Sequence, residues 1–371
     1  MNTTRTTSTA PRALTTLAAA GAALSAAALA SAEDMVALST TPAGQALVGL
    51  DSDNPVTPTS TTPITGVHDG FTITGIDFRP SDGRLYGIGT RVNDPGDPII
   101  SRLYTIDMDT GEATAVGGDV DPGIVVEDGD EDTLVGMDFN PVVDLIRVIT
   151  SLDQNTVIDP DTGLIVATAT SVFYADGDRF EGVDPFVADI AYTNSTPCAT
   201  ATQQYGIDTE QDILVTVANS AGTLETVGDL DIEGPIGLST DVMGAGGLDV
   251  SGDTETVYAL LTVGLLDALG LPVDVPLQSL YTINTATGEA TSLGLAGTGL
   301  LGLSGLTVIP DSFPCCDSRA DIDMDGELTL FDFLAYQNLF DAGDDRADFD
   351  GDGSLTLFDF LAFQNEFDMG C

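Results

Sequence analysis

Two twelve-residue stretches near the C-terminus hold the chemistry that this sequence states most plainly. The first is Asp321-Ile-Asp323-Met-Asp325-Gly326-Glu327-Leu328-Thr329-Leu330-Phe331-Asp332, and Asp348-Phe-Asp350-Gly-Asp352-Gly353-Ser354-Leu355-Thr356-Leu357-Phe358-Asp359 starts 27 residues later. From Ala320 and Ala347 onward, 18 of 25 aligned positions are identical, which marks a duplication. Calcium is a hard cation that takes six to eight oxygens. Side chains at loop positions 1, 3, 5 and 12, a carbonyl at 7 and a group at 9 converge on such an ion, and Gly at 6 makes the sharp turn. The ligands read from this spacing are Asp321, Asp323, Asp325, Glu327, Thr329 and Asp332 for one Ca2+ ion. Asp348, Asp350, Asp352, Ser354, Thr356 and Asp359 serve a second. Position 12 is Asp and not the bidentate Glu usual in such loops, which predicts weaker or less symmetric binding.

Each loop needs an element to hold it. Thr329 to Phe340 and Thr356 to Phe367 lack Gly and Pro and repeat apolar residues at helical spacing, so each loop leads into a helix. Leu328 and Leu355, at position 8, are expected to point into a small core. This order of EF-hand-type loop, helix, linker, loop and helix, with Asp at position 12, resembles a type I dockerin over residues 315–371. The resemblance implies two calcium ions and docking to a cohesin-like or cell-envelope receptor. It places the partner-binding residues at Leu330, Phe331, Leu357 and Phe358. Dockerins commonly carry small polar or basic residues there, so the apolar pairs imply a more apolar receptor groove. The plainer alternative is that these pairs fill the module's own core. The terminal Gly370-Cys371 is similar to the ending of dockerin-like anchors on exported bacterial proteins.

The rest of the 371-residue chain must be read against its charge. There are 59 acidic residues and 10 basic ones, all Arg, for a net charge of −49. Such a surface repels nucleic acid and anionic lipid, because binding either requires Lys and Arg. A hydrophobic content of 43% is too high for a disordered acidic chain. Residues 1–32 read as a secretory signal: Arg5 and Arg12 precede the apolar run Ala13 to Ala30, and Ala30-Ser31-Ala32 fits the cleavage pattern. No membrane span is expected after cleavage. Export permits disulfides among Cys198, Cys315, Cys316 and Cys371, and the three pairings of four Cys stay open.

Residues 33–310 are expected to be all-β, residues 311–319 a linker, and residues 320–371 the calcium module. Ile73-Thr-Gly-Ile-Asp77-Phe-Arg-Pro80, Leu134-Val-Gly-Met-Asp138-Phe-Asn-Pro141, Val187-Ala-Asp-Ile-Ala-Tyr192 and Gly246-Gly-Leu-Asp249-Val250 each open a set of short strands. The period suits propeller blades. Leu303 to Pro310 reads as the first strand of a fifth set, and Met35, Ala46 and Thr59 begin its remaining three. The prediction is a five-bladed β-propeller whose closing blade is shared by both chain ends, which removes exposed edges. A β-sandwich is the rival. The phrases Leu47-Val-Gly-Leu-Asp-Ser-Asp53, Gly75-Ile-Asp-Phe-Arg-Pro80, Leu85-Tyr-Gly-Ile-Gly89 and Leu103-Tyr-Thr-Ile-Asp107 resemble domain of unknown function 4394, a secreted bacterial β-repeat domain. That resemblance spans about residues 35–310 and implies no activity.

Asp77, Asp138 and Asp249 occupy one repeat position, with Ala191 and Thr307 in the other copies. A repeated residue meets a repeated structural need, so these are read as braces within each blade, with a channel cation as the rival reading. Asp107 to Gly111, Asp159 to Gly163 and Asn284 to Gly288 read as hairpin turns. His68 is the single His and has no nucleophile motif nearby, so no catalytic residue is assigned. The expected function is an exported, non-enzymatic propeller tethered through its calcium module. The alternative is a dockerin-borne enzyme acting on extracellular polysaccharide.

Overall fold

The computed structural model describes residues 32–91, 100–118, 120–125, 133–197, 199–232, 242–264, 276–297, 302–310, 319–322 and 328–369. The segment read as a signal but for Ala32, all four cysteines, the expected linker but for Arg319, and the expected ligands Asp323, Asp325 and Glu327 lie outside the described residues.

Strand β1 (Asp34–Thr41) pairs antiparallel with β2 (Gly44–Asp51), and β2 with β3 (Ser60–Pro63). Blade I is β4 (Thr72–Phe78), β5 (Leu85–Thr90), β6 (Ser101–Ile106) and β7 (Ala113–Ala115). Blade II is β8 (Val135–Asn140), β9 (Leu145–Thr150), β10 (Asn155–Ile158) and β11 (Ile165–Thr168). Blade III is β12 (Phe173–Tyr174), β13 (Val187–Tyr192), β14 (Gln204–Asp208), β15 (Ile213–Ala218) and β16 (Thr223–Asp229). Blade IV is β17 (Val242–Val250), β18 (Val257–Gly264), β19 (Pro276–Ile283) and β20 (Ala290–Leu295). The last strand, β21 (Leu303–Val308), returns to β1, with Met35 opposite Val308. The innermost strands β4, β8, β13, β17 and β21 each adjoin the next, and β21 adjoins β4, which closes a ring of five blades. Both chain ends supply the closing blade, as the repeat predicted. The short β12, which runs parallel to the outer strand β16, was not foreseen.

Burial explains why the strands read as nearly unbroken apolar runs. Every residue of β13 is buried. In β1, Met35 and Ala37 pack toward blade IV while Val36 and Leu38 pack toward blade I. The period-two alternation of a strand therefore serves two apolar interfaces, not one wet and one dry face. One such cluster lies between each pair of neighbouring blades. Each fully buried Leu, Ile or Val contributes on the order of 1.5–3 kcal/mol. The predicted hairpin turns form: Asp107 Oδ1 accepts the N–H groups of Asp109 and Thr110, and Asp159 Oδ1 those of Asp161 and Thr162. Gly111, Gly163 and Gly288 supply the positive φ angles of 72°, 70° and 84°.

One polar clamp joins blades I and II. Arg79 donates through Nε to Asp144 Oδ1 at 2.9 Å and through Nη2 to Asp144 Oδ2 at 2.6 Å, while Nη1 reaches Asp161 at 2.7 Å. Its side chain is only 11% exposed, but Asp144 is 38% and Asp161 70% exposed, so water screens these pairs in part. Arg79→Lys keeps the charge but loses the two-pronged geometry. Urea denaturation should show it destabilised by about 0.5–1.5 kcal/mol, and an unchanged midpoint would deny the clamp a stabilising role.

The C-terminal segment holds α1 (Leu330–Ala342) and α2 (Leu357–Met369). Thr329 caps α1 and Asp332 returns a bond to its backbone N–H, a capping box. Gly343, at φ 69°, ends that helix. Residues related by the 27-residue repeat meet each other: Tyr336 stacks on Phe363 at 4.1 Å, and Phe333 meets Phe360 edge-on at 5.7 Å. Leu328 and Leu355 pack against this core, as expected. None of the described helices is long and apolar enough to cross a membrane.

Candidate functional site

The second acidic loop is described in full. Asp348 accepts the N–H of Gly351 through Oδ1 and that of Gly353 through Oδ2, both at 2.9 Å. Asp350 Oδ1 accepts the Asp352 N–H at 3.0 Å, and Asp352 Oδ1 the Ser354 N–H at 2.8 Å. These bonds fold the loop inward, and one oxygen from each of Asp348, Asp350 and Asp352 lies within 4.8 Å of the others. Asp359 is buried beneath them, its oxygens accepting the N–H groups of Thr356 at 2.7 Å and Asp350 at 3.2 Å. An all-oxygen set of this kind fits a hard cation. The Asp350 carboxyl accepts the Asp352 N–H, yet partial desolvation and the charges of Asp352, Asp359 and Asp348 hold it above the usual range. In the first loop, Asp332 repeats the role of Asp359, accepting from Ile322 and Thr329 at 2.8 Å each.

The apolar pairs do not fill the module's core. Leu330 and Phe331 are each 68% exposed, and Leu357 and Phe358 each 67%. The packing alternative is therefore overturned: the core is occupied by Tyr336, Phe349 and Phe363, and the first two residues of each helix point their side chains outward. Leu334 and Leu361, one turn further on, extend the exposed apolar patch. Sequence reasoning missed these two, although their spacing from Leu330 and Leu357 places them on the same face.

In the propeller, the repeated Asp residues brace the next blade and not a turn of their own. Asp77 Oδ2 accepts the Phe139 N–H of blade II at 2.7 Å. Asp138 Oδ1 accepts the Tyr192 N–H of blade III at 3.1 Å, and Asp249 Oδ2 the Val308 N–H of the closing blade at 2.6 Å. The reason is geometric: the innermost strands stand side by side without a ladder between them, so a side chain must satisfy the facing N–H. Blade III departs from this pattern. Where the other blades read Gly75-Ile-Asp77, Gly136-Met-Asp138, Gly247-Leu-Asp249 and Gly305-Leu-Thr307, it reads Asp189-Ile-Ala191. Asp189 takes over the task two residues earlier in the strand, accepting the Leu248 N–H at 3.1 Å. The exchange of Gly for Asp two positions before Ala191 was the signal for it. His68 lies exposed in a loop, its ring 3.2 Å from the Tyr104 hydroxyl.

Residues 46–307 match the family model for a domain of unknown function, DUF4394. The chain belongs to this family. The DUF4394 match begins inside β2 and ends inside β21, so β1 lies outside it yet completes the closing blade. The loops and helices of the C-terminus also lie outside it. No curated relative matches the sequence. Among solved structures, a protein of unknown function from Bacteroides thetaiotaomicron is 12% identical, with a TM-score of 0.42, over 69% of this chain and 54% of its own. Glutaminyl cyclase of Myxococcus xanthus is 14% identical, with a TM-score of 0.36, over 67% of this chain and 87% of its own. An auxiliary nutrient binding protein from Bacteroides thetaiotaomicron is 13% identical, with a TM-score of 0.32, over 58% and 53%. The chain thus spans only about half the length of the first and third of these. Likeness at this level says nothing about activity.

Proposed function

We propose that this DUF4394 chain is an exported, non-enzymatic propeller held in an extracellular or cell-surface assembly by a calcium-dependent, dockerin-like module. The observation that carries the reading is the second loop, where three Asp oxygens lie within 4.8 Å of one another over the buried Asp359. Calcium would neutralise these carboxylates and fix the helix that follows. Asp348, Asp350, Asp352 and Asp359 would hold one ion, and their duplicates in residues 321–332 a second. The exposed Leu-Phe pairs at the two helix starts are the face offered to a cohesin-like receptor with an apolar groove. Large apolar side chains two-thirds exposed are costly in water unless a partner covers them.

The test uses the full-length protein immobilised in calcium and challenged with envelope extract from the source cells. Specific retention should be lost in chelator. It should also fall with Phe331→Ser combined with Phe358→Ser, by roughly 30-fold or more in affinity if each ring is an anchor. The double variant should still bind calcium as tightly as the parent. Retention indifferent to both changes refutes the tether.

A further inference from the structure

The strongest unexplained feature of the propeller lies where its ring is closed. The Thr307 hydroxyl of β21 sits 3.0 Å from Asp77 Oδ1 of blade I and 2.9 Å from Asp249 Oδ2 of blade IV. A hydroxyl has a single proton and can donate it to one carboxylate only. The other contact is a hydrogen bond only if that carboxyl donates, which requires it to carry a proton. Thr307 is fully buried, and Asp77 and Asp249 are 3% and 4% exposed, so water cannot take either place freely. A cavity of about 10 Å3 beside them, between Phe78, Pro80, Ser195 and Val250, has room for about one water. Asp138, from β8, brings a third carboxyl with an oxygen within 4.8 Å of the other two.

Among the described residues, no compensating charge pairs with the three carboxyls. From β13 comes another acid, Asp189, and β21 presents only the neutral Thr307. Arg147 of β9 stands opposite Asp138 but turns its guanidinium to Asn155 and the Tyr192 hydroxyl. Among the described residues, no Arg forms an ion pair with any of the three. The backbone N–H groups of Phe78, Phe139, Tyr192, Val250 and Val308 are the remaining donors.

We propose that the Asp77, Asp138 and Asp249 carboxyls share protons across the join between the two chain ends, forming a latch that holds the propeller shut and loosens as those protons are withdrawn. Burial raises the pKa of all three, with mutual repulsion adding to it for Asp77 and Asp138, and Asp249 is carried up to about 6. A carboxyl raised on folding stabilises the fold fully below its unfolded value. That stabilisation is lost as pH climbs through the folded value. The latch therefore tightens in mild acid and weakens toward neutral and alkaline pH.

Infrared titration of the full-length protein in chelator decides the matter. At about pH 5.5, where exposed carboxyls are ionised, a protonated-carboxyl C=O band should persist and then titrate away as a coupled set at higher pH. Asp249→Asn should remove part of it. In strong salt, which screens surface repulsion, the propeller melting midpoint should fall from pH 5 to 8 by on the order of 3–5 °C more in the parent than in Asp249→Asn. Absence of the band above pH 5, or equal pH dependence in both proteins, overturns the proposal. So does recovery of the midpoint at pH 8 by calcium or magnesium, which would make a cation the neutralising partner. Should Asp249→Asn not fold, the infrared titration of the unaltered protein still decides the question.

Discussion

Withdrawing calcium from the full-length protein is expected to unfold residues 320–371 while the propeller stays intact. The module's core is small: Ala320, Tyr336, Ala347, Phe349 and Phe363 are its buried apolar residues among those described. A core of this size supplies no more than about 3–5 kcal/mol. Against it stands the crowding of Asp348, Asp350 and Asp352 within 4.8 Å. An ion bound at 100 times its dissociation constant contributes about 2.7 kcal/mol per site, so two sites account for most of the folding free energy available. The far-UV signal of α1 and α2 should collapse in chelator and return with calcium. Magnesium should restore it poorly, since it demands a tighter octahedron. Asp359→Ala should have a comparable effect, because it removes the loop-closing acid and frees the N–H groups of Thr356 and Asp350. A helical signal indifferent to chelator, together with no heat on adding calcium, would remove the basis of the tether.

Gly247→Ala should be among the most damaging small substitutions in the propeller. A Cβ at this position of β17 would lie 2.2 Å from the Leu306 backbone nitrogen and 2.3 Å from its Cβ. These atoms belong to β21, the strand that the chain's last propeller residues lay against its first, so they cannot move without opening the ring. Overpacking commonly costs 1–3 kcal/mol. With rigid backbone on the receiving side, a loss of about 3 kcal/mol or more is expected, which lowers the melting midpoint by roughly 6–12 °C. Gly244→Ala, also in β17 but with open space around it, should change the midpoint little. Equal effects at the two positions would mean that the inner strands do not approach as closely as described.

Patterns that repeat were legible because each copy had to solve the same problem. The strand sets recurred because each blade buries both faces against its neighbours, and the loose ends at Met35 and Leu303 matched the missing parts of one blade. The helices after each loop were legible because Thr329 to Phe340 and Thr356 to Phe367 lack Gly and Pro and repeat apolar residues at helical spacing. What stayed hidden was the direction of side chains across interfaces. The exposed Leu330 and Phe331 and the buried Tyr336 all read as apolar helix residues, and only the meeting of α1 with α2 sorts them. Asp189 was missed because its partner, the Leu248 N–H, is 59 residues away on another blade.

The order of residues by itself determined the number of blades, the sharing of one blade between the chain ends, and the spacing of acids that suits a hard cation, because these depend on local periodicity and turn chemistry. Tertiary structure alone decided that the inner Asp side chains reach across to the next blade, that one hydroxyl stands between two of them, and that the Leu-Phe pairs face solvent. Those facts depend on which surfaces meet once the ring closes and the helices pair, and contacts between segments far apart in sequence leave no mark in the local pattern.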